Sequence, residues 1–209
     1  MPTDPGLNLQ FVDEALALVR EAEAEGIRLR ILGSIAYRLQ CPNNLHLFEE
    51  TKRVLTDVDF GAEKKQNKAI RQFLIARDYV PDEGVYMASE GARHVYLHKD
   101  TNLNVDVFAD ELYFCHRIPF KNRLDLDSPT ICTTDLLLEK MQIVEINLKD
   151  FKDTIVLMLE HPLSHQCRWI LDQWRSHRPG DESDPVGLPG RCVGLRVWHQ
   201  LRDWRDGDQ

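Results

Sequence analysis

Residues 31–60 read ILGSIAYRLQCPNNLHLFEETKRVLTDVDF, and the order of signals in this stretch decides the fold expected of the chain. It is entered from Ile27-Arg28-Leu29-Arg30-Ile31-Leu32, whose apolar residues alternate as in a half-buried strand. The run ends on Gly33-Ser34, and a short helix is predicted over 35–39. Strand, Gly-Ser, helix N-terminus is an arrangement that suits an anion. Glycine lets the backbone approach a ligand, the first helical N–H groups are unpaired, and the helix dipole favours negative charge. The stretch closes on Thr56-Asp57-Val58-Asp59-Phe60, where strand alternation puts Asp57 and Asp59 on one face and Val58 and Phe60 on the other. Two such carboxylates at ~4 Å repel by about 4 kcal/mol at an effective dielectric of ~20. Protonating one of them, or a divalent cation, relieves this, and hard oxygen ligands beside a phosphate-binding turn suit Mg²⁺.

Outward from this stretch, Asn8 is the expected N-cap of a helix running to about Glu25 and stopped by Gly26, with a core stripe of Phe11, Val12, Ala15, Leu18, Val19 and Ala22. Pro42-Asn43-Asn44 marks a turn in a loop over 41–50. A helix is predicted over 62–77, with Ile70, Phe73 and Leu74 inward and Lys64, Lys65, Lys68 and Arg71 outward. Residues 92–109 read as a β-hairpin in which 94–98 pairs with 103–108 across Lys99-Asp100-Thr101-Asn102. Its second strand places Asp106 among apolar residues, where an unpaired carboxylate is costly unless that face meets water or a cation. Two helices follow, over 135–144 with Thr133 or Thr134 as cap, and over 148–160 with Asn147 and Asp150 as a capping pair. Lys140 interrupts an apolar row of the first, which suits either a lysine snorkelling to solvent or one bound to phosphate.

The 209 residues hold one substantial core. A net charge of −8 argues against a surface coated with nucleic-acid-binding charge, although a local patch is compatible with it. Five scattered cysteines without a CxxC pair read as a reduced, cytoplasmic chain lacking a disulfide framework. No leader pattern and no membrane-length apolar run is present, so no membrane partner is expected. After residue 165 the composition shifts: all four tryptophans lie there, no lysine follows Lys152, and RPGDESDPVGLPGR (178–191) carries no regular period. The expected architecture is α/β (α+β), a small mixed β-sheet with packed helices over 1–125, a helical segment over 126–165, and an irregular tail over 166–209.

Gly33-Ser34, Asp57-x-Asp59 and Asp106 form a chemical set. Three carboxylates can hold two Mg²⁺ ions gripping a nucleoside triphosphate, with the Gly33-Ser34 turn on its phosphates and Asp106 on the acceptor side. The segments ILGSIAYRLQCP, LTDVDFG and LNVDVFAD resemble the Gly-Ser, Asp-x-Asp and third-Asp motifs of the polymerase-β-like nucleotidyltransferases. DLLLEKMQIVEINLKDFKDTIVLM is similar to the helical part of bacterial members, including the AbiE-type toxin nucleotidyltransferases and their uncharacterised relatives.

The resemblance covers about 27–161 and implies a nucleotidyltransferase core with Asp57, Asp59 and Asp106 as catalytic and metal-binding residues. Gly33, Ser34, Lys140 and Asp153 would be nucleotide-binding, with Lys149, Asp150 and Asp153 filling the family's second helical motif. It also implies two Mg²⁺ ions, an NTP co-substrate, and an RNA (perhaps a tRNA end), protein or small-molecule acceptor. A cognate antitoxin-like protein is a further partner that it suggests. An RNA acceptor would call on the face from Lys64 to Arg71, or on Arg28, Arg30 and Arg38. Plainer readings stay open: a water-facing pair for Asp57 and Asp59, an N-cap for Ser34, and a dipole-favoured helix acid for Asp153. The alternatives for the whole chain are a catalytically inactive interaction module that keeps the fold, and a metal-dependent phosphohydrolase. His161, His165 and Cys167 lack the fourth ligand that a closed zinc site requires.

Overall fold

The computed structural model describes residues 5–50 and 54–161. Its centre is a five-stranded mixed sheet built from β1 (Arg30–Ile31), β2 (Asp57–Ala62), β3 (Tyr79–Pro81), β4 (Arg93–His98) and β5 (Asn104–Ala109), in the order β1-β2-β5-β4-β3. Strands β2 and β5 are parallel, and the other three pairings are antiparallel. Cross-strand partners share a face, so the register sorts the sheet into two surfaces. On one lie Val58, Phe60, Val105, Val107, Tyr96 and Tyr79, all buried in the core. On the other lie Asp57, Asp59, Asn104, Asp106, Val95, Leu97 and Val80, and there Leu97 and Val80 are exposed.

Helix α1 (Pro5–Ala24) packs on β1, β2 and α2 (Gly33–Gln40). It begins before Asn8, so that residue is no cap; its Oδ1 accepts from the Leu55 N–H at 2.8 Å, tying the helix to the entry of β2. The expected stop holds: Gly26 has φ +75°, and the Gly26 and Ile27 N–H groups donate to Glu23 and Ala22 carbonyls at 3.0 and 2.8 Å. In the run 27–32 only Arg30 and Ile31 pair as a strand, and Arg30 is buried, against the alternation read there. Its guanidinium is satisfied by Glu23 (2.7 Å) and by the carbonyls of Leu29 and Asp127, both at 2.8 Å. With Arg30 and Arg38 both buried, Arg28, Arg30 and Arg38 do not form an exposed basic patch.

The loop predicted over 41–50 contains a 3-10 turn, Pro42–Asn44, and helix α3 (Leu45–Glu50), because Phe48 supplies a core anchor. The helix predicted over 62–77 is shorter. Pairing of Ala62 with Ala109 carries β2 through its first residue, and a 3-10 turn, Lys64–Gln66, precedes α4 (Asn67–Ile75). Gln66 pins that turn, accepting from Arg28 N–H at 2.9 Å and donating to the Gly26 carbonyl at 2.8 Å. Ile70, Phe73 and Leu74 are buried as expected.

Helix α5 (Glu83–Ala88) and the hairpin of β6 (Glu111–Tyr113) with β7 (Arg117–Pro119) lie where the sequence carried no prediction. Helix α6 (Thr133–Met141) starts after Cys132 with no side-chain cap, since Thr133 Oγ1 instead donates to Gln40 Oε1 at 3.3 Å. It stops short of Val144, because Gln142 is buried and accepts from the Phe114 N–H at 3.1 Å. Helix α7 (Leu148–Glu160) matches its prediction, with Asn147 Oδ1 accepting from the N–H groups of Lys149 and Asp150 at 2.8 and 3.1 Å. Both helices pack on α2 and send Leu136, Val156 and Leu157 into the same core as the sheet.

Cys41, Cys115 and Cys132 are free thiols. Among the described residues no helix is long and apolar enough to cross a membrane. The tail expected over 166–209, with His165 and Cys167 of the zinc reading, lies outside the described residues.

Candidate functional site

The site is organised by the exit of β1. The Leu32 N–H donates to the Asp59 carbonyl at 2.8 Å, which lays the Gly33 turn against β2. Gly33 has φ +61°, and a Cβ there would meet Asp59 Oδ2 at 2.3 Å. Glycine is therefore required twice, once by the left-handed backbone and once by the carboxylate seated on it. Ser34 follows as the second residue of α2, partly exposed.

Asp57 and Asp59 are half-buried, and Asp106 lies directly beside Asp59 across the parallel β2–β5 pair. Burial, then the charges of Asp57, Glu139 and Asp106, push the Asp59 carboxyl well above its ordinary range, and Lys140 pulls it back. Asp106 is also raised by burial and drawn down by Arg93. That arginine opens β4 on the same sheet face. Its Nε contacts both Asp106 oxygens at 3.0 Å, and Nη2 closes the fork on Oδ2.

Helix α6 completes the constellation. Glu139 accepts from the Gly33 N–H at 3.2 Å, so a carboxylate stands where the turn presents its donor. The charge of Glu139 and burial itself are opposed there: burial raises its carboxyl, while Lys140 and the Gly33 N–H lower it. Lys140 is buried, 2.8 Å from Asp150 Oδ1 and 3.3 Å from Asp153 Oδ2, with Nζ 5.3 Å from the Tyr37 ring centroid. Lys140 therefore does not snorkel. Burial works against its charge, but Glu139, Asp153 and Asp150 hold its pKa above the ordinary value. Tyr37 donates to the Leu136 carbonyl at 2.6 Å, fastening α2 to α6.

The structure thus brings Gly33, Asp59, Asp106, Lys140 and Asp153 to one neighbourhood, with Asp57 one strand step away and Ser34 at the turn. Lys149 is exposed, and its N–H donates to Asn147 Oδ1. Two residues were not foreseen. Glu139 sits beside Lys140 in sequence, and nothing in helical periodicity marks it as a partner for residue 33. Arg93 was legible, because period-two alternation places it on the face of Val95 and thus of Asp106.

Among the described residues, no group of three or more His, Cys, Asp or Glu side chains is arranged to hold a metal ion. The three aspartates share a face, but Asp106 is turned to the guanidinium. Along the same face a groove of about 500 Å³ runs from Asn104 over Val95, Leu97 and Val80. In comparisons with known proteins, no family model matches the chain and no curated protein matches it.

Proposed function

We propose that this chain transfers a nucleotidyl group from an NTP to an acceptor hydroxyl with release of pyrophosphate, as the nucleotidyltransferases that its motifs resemble do. The observation that carries this reading is the Asp59 carboxylate seated on the Gly33 turn, with Asp106 beside it on the neighbouring strand. A glycine turn of the kind that suits an anion and an acidic pair meet there at one point.

Asp57 and Asp59 fit a divalent cation in donor type and in electrostatics, since Asp59 is crowded by like charge that a cation relieves. Bound there, Mg²⁺ would neutralise charge on the transferred phosphoryl group. Asp106, on the strand beside Asp59, would lie on the acceptor side of the site, where Arg93 engages both its oxygens. The Gly33 N–H and the Ser34 hydroxyl would receive phosphate oxygens on withdrawal of Glu139, and Lys140, with Asp153 behind it, would face the nucleotide phosphates. The groove over Val95, Leu97 and Val80 begins on the Asp106 side of the sheet and suits the body of the acceptor, an RNA, protein or small molecule. A protein partner of the antitoxin type belongs to the same proposal.

A second reading is favoured by a specific observation: Asp106, Lys140 and the Gly33 N–H already have internal partners. Arg93 holds Asp106, Glu139 holds the turn, and Asp150 and Asp153 hold Lys140. A non-catalytic interaction module would look this way. Calorimetry of NTP binding to the full chain with and without Mg²⁺, followed by an assay for pyrophosphate, separates the two. Mg²⁺-dependent binding with pyrophosphate release that Asp59→Ala abolishes supports transfer. Binding without turnover supports the module, and orthophosphate in place of pyrophosphate supports a phosphohydrolase.

A further inference from the structure

We propose that Arg93 is a built-in replacement for the acceptor-side cation, so that the site takes one divalent ion, at Asp57 and Asp59, instead of two. This rests on the nucleotidyltransferase reading and narrows it. Both Asp106 oxygens are engaged by one guanidinium, which gives a planar, permanently charged, bidentate partner to a buried carboxylate.

The arginine is held in place from three sides. Its backbone N–H donates to Ser89 Oγ at 3.1 Å, and its carbonyl receives that hydroxyl at 3.0 Å. Its guanidinium carbon lies 5.4 Å from the Phe108 ring centroid, on the strand residue that pairs with it. Its head is half exposed, whereas the carboxylate it covers has a side chain only 7% exposed. A hydrated cation therefore reaches Asp106 only by displacing a partner that is already charge-matched. Asp57 and Asp59 differ, because among the described residues no ion pair joins either of them.

The arginine side chain is half exposed on the sheet face that carries Asp57 and Asp59, so it contributes positive charge there without leaving Asp106.

The test is Mn²⁺ binding to the full chain, read from the electron paramagnetic resonance of the free ion. The unmodified protein is expected to take one Mn²⁺, lost in Asp59→Asn and changed less than twofold in affinity by Asp106→Asn. Arg93→Gln is expected to take two, the second abolished by adding Asp106→Asn. Two ions on the unmodified protein, or a single ion on folded Arg93→Gln, would overturn the proposal while leaving metal-assisted transfer standing. No Mn²⁺ on any variant would overturn both. If Arg93→Gln is unfolded by circular dichroism, the Asp106→Asn arm decides alone, since a tenfold loss of affinity there places the metal on Asp106.

Discussion

Lys140→Ala separates a lysine that holds the fold from one that waits for phosphate. In the structure its side chain is 6% exposed, and those of Asp150 and Asp153 are 10% and 1% exposed. Removing the ammonium leaves two buried carboxylates without their shared cation, beside Glu139 and over the Tyr37 ring. Breaking a buried pair by deleting one partner costs about 3–5 kcal/mol. A domain of this size loses about 2–4 °C of melting temperature per kcal/mol, so a drop of roughly 6–20 °C is expected. Urea unfolding should show a lower midpoint at an unchanged slope. The pH dependence gives a second check. The folded-state pKa lies above the ordinary 10.5, so the contribution of Lys140 is fully present below that value and is lost only as pH rises through the higher folded pKa. The gap between the two proteins should accordingly stay constant from pH 7 to 9. A loss below about 1 kcal/mol, the worth of an exposed pair, would refute the reasoning and return Lys140 to a purely ligand-binding role.

Two further outcomes follow from the same neighbourhood. Asp59→Asn should stabilise the metal-free protein at neutral pH, because a carboxyl whose folded pKa is raised contributes stability below the ordinary value of 3.8 and loses it as pH rises through the folded pKa. The advantage should vanish in acid, and added Mg²⁺ should stabilise the unmodified protein but not the variant; a variant less stable at pH 7 without metal would contradict the assignment. Gly33→Ala should cost at least about 1–2 kcal/mol from the left-handed backbone alone, with more from the displaced Asp59 carboxylate. Thermal melting checks this, and a change within about 0.5 kcal/mol would mean that the turn is not constrained as described.

Much of the scaffold was legible because it obeys single-element rules. The period of two in β2 and β5 placed Asp57, Asp59 and Asp106 on one face, and Asn147 announced its helix through a cap that the backbone uses. Failures came where tertiary contacts override local pattern. Arg30 reads as a solvent-facing strand residue, yet Glu23 and the Asp127 carbonyl, drawn from opposite ends of the core, bring it inside. Asn8 reads as a cap but serves a loop 47 positions away. The Glu139 contact spans 106 positions and joins a helix to a turn, and no periodicity within either element encodes such a meeting. Lys140 was read correctly as anomalous in an apolar row. Its two aspartate partners, one helix later, stand out in the sequence only as a capping residue and as part of the motif that the resemblance implies, not as its counter-ions.

The parallel pairing of β2 with β5 has a consequence for the order in which the molecule assembles. The β4–β5 hairpin closes across the five residues 99–103 and needs no distant partner, a microsecond event. Asp59 meets Asp106 only after the intervening helix α4, strand β3 and helix α5 have been gathered in, and Glu139 reaches Gly33 later still along the chain. Contacts of such long sequence separation bear the full entropy of loop closure and form slowly. During refolding, secondary structure should therefore recover ahead of the Asp59–Asp106 and Gly33–Glu139 contacts, and a metal or nucleotide held as proposed would report the last contacts to form.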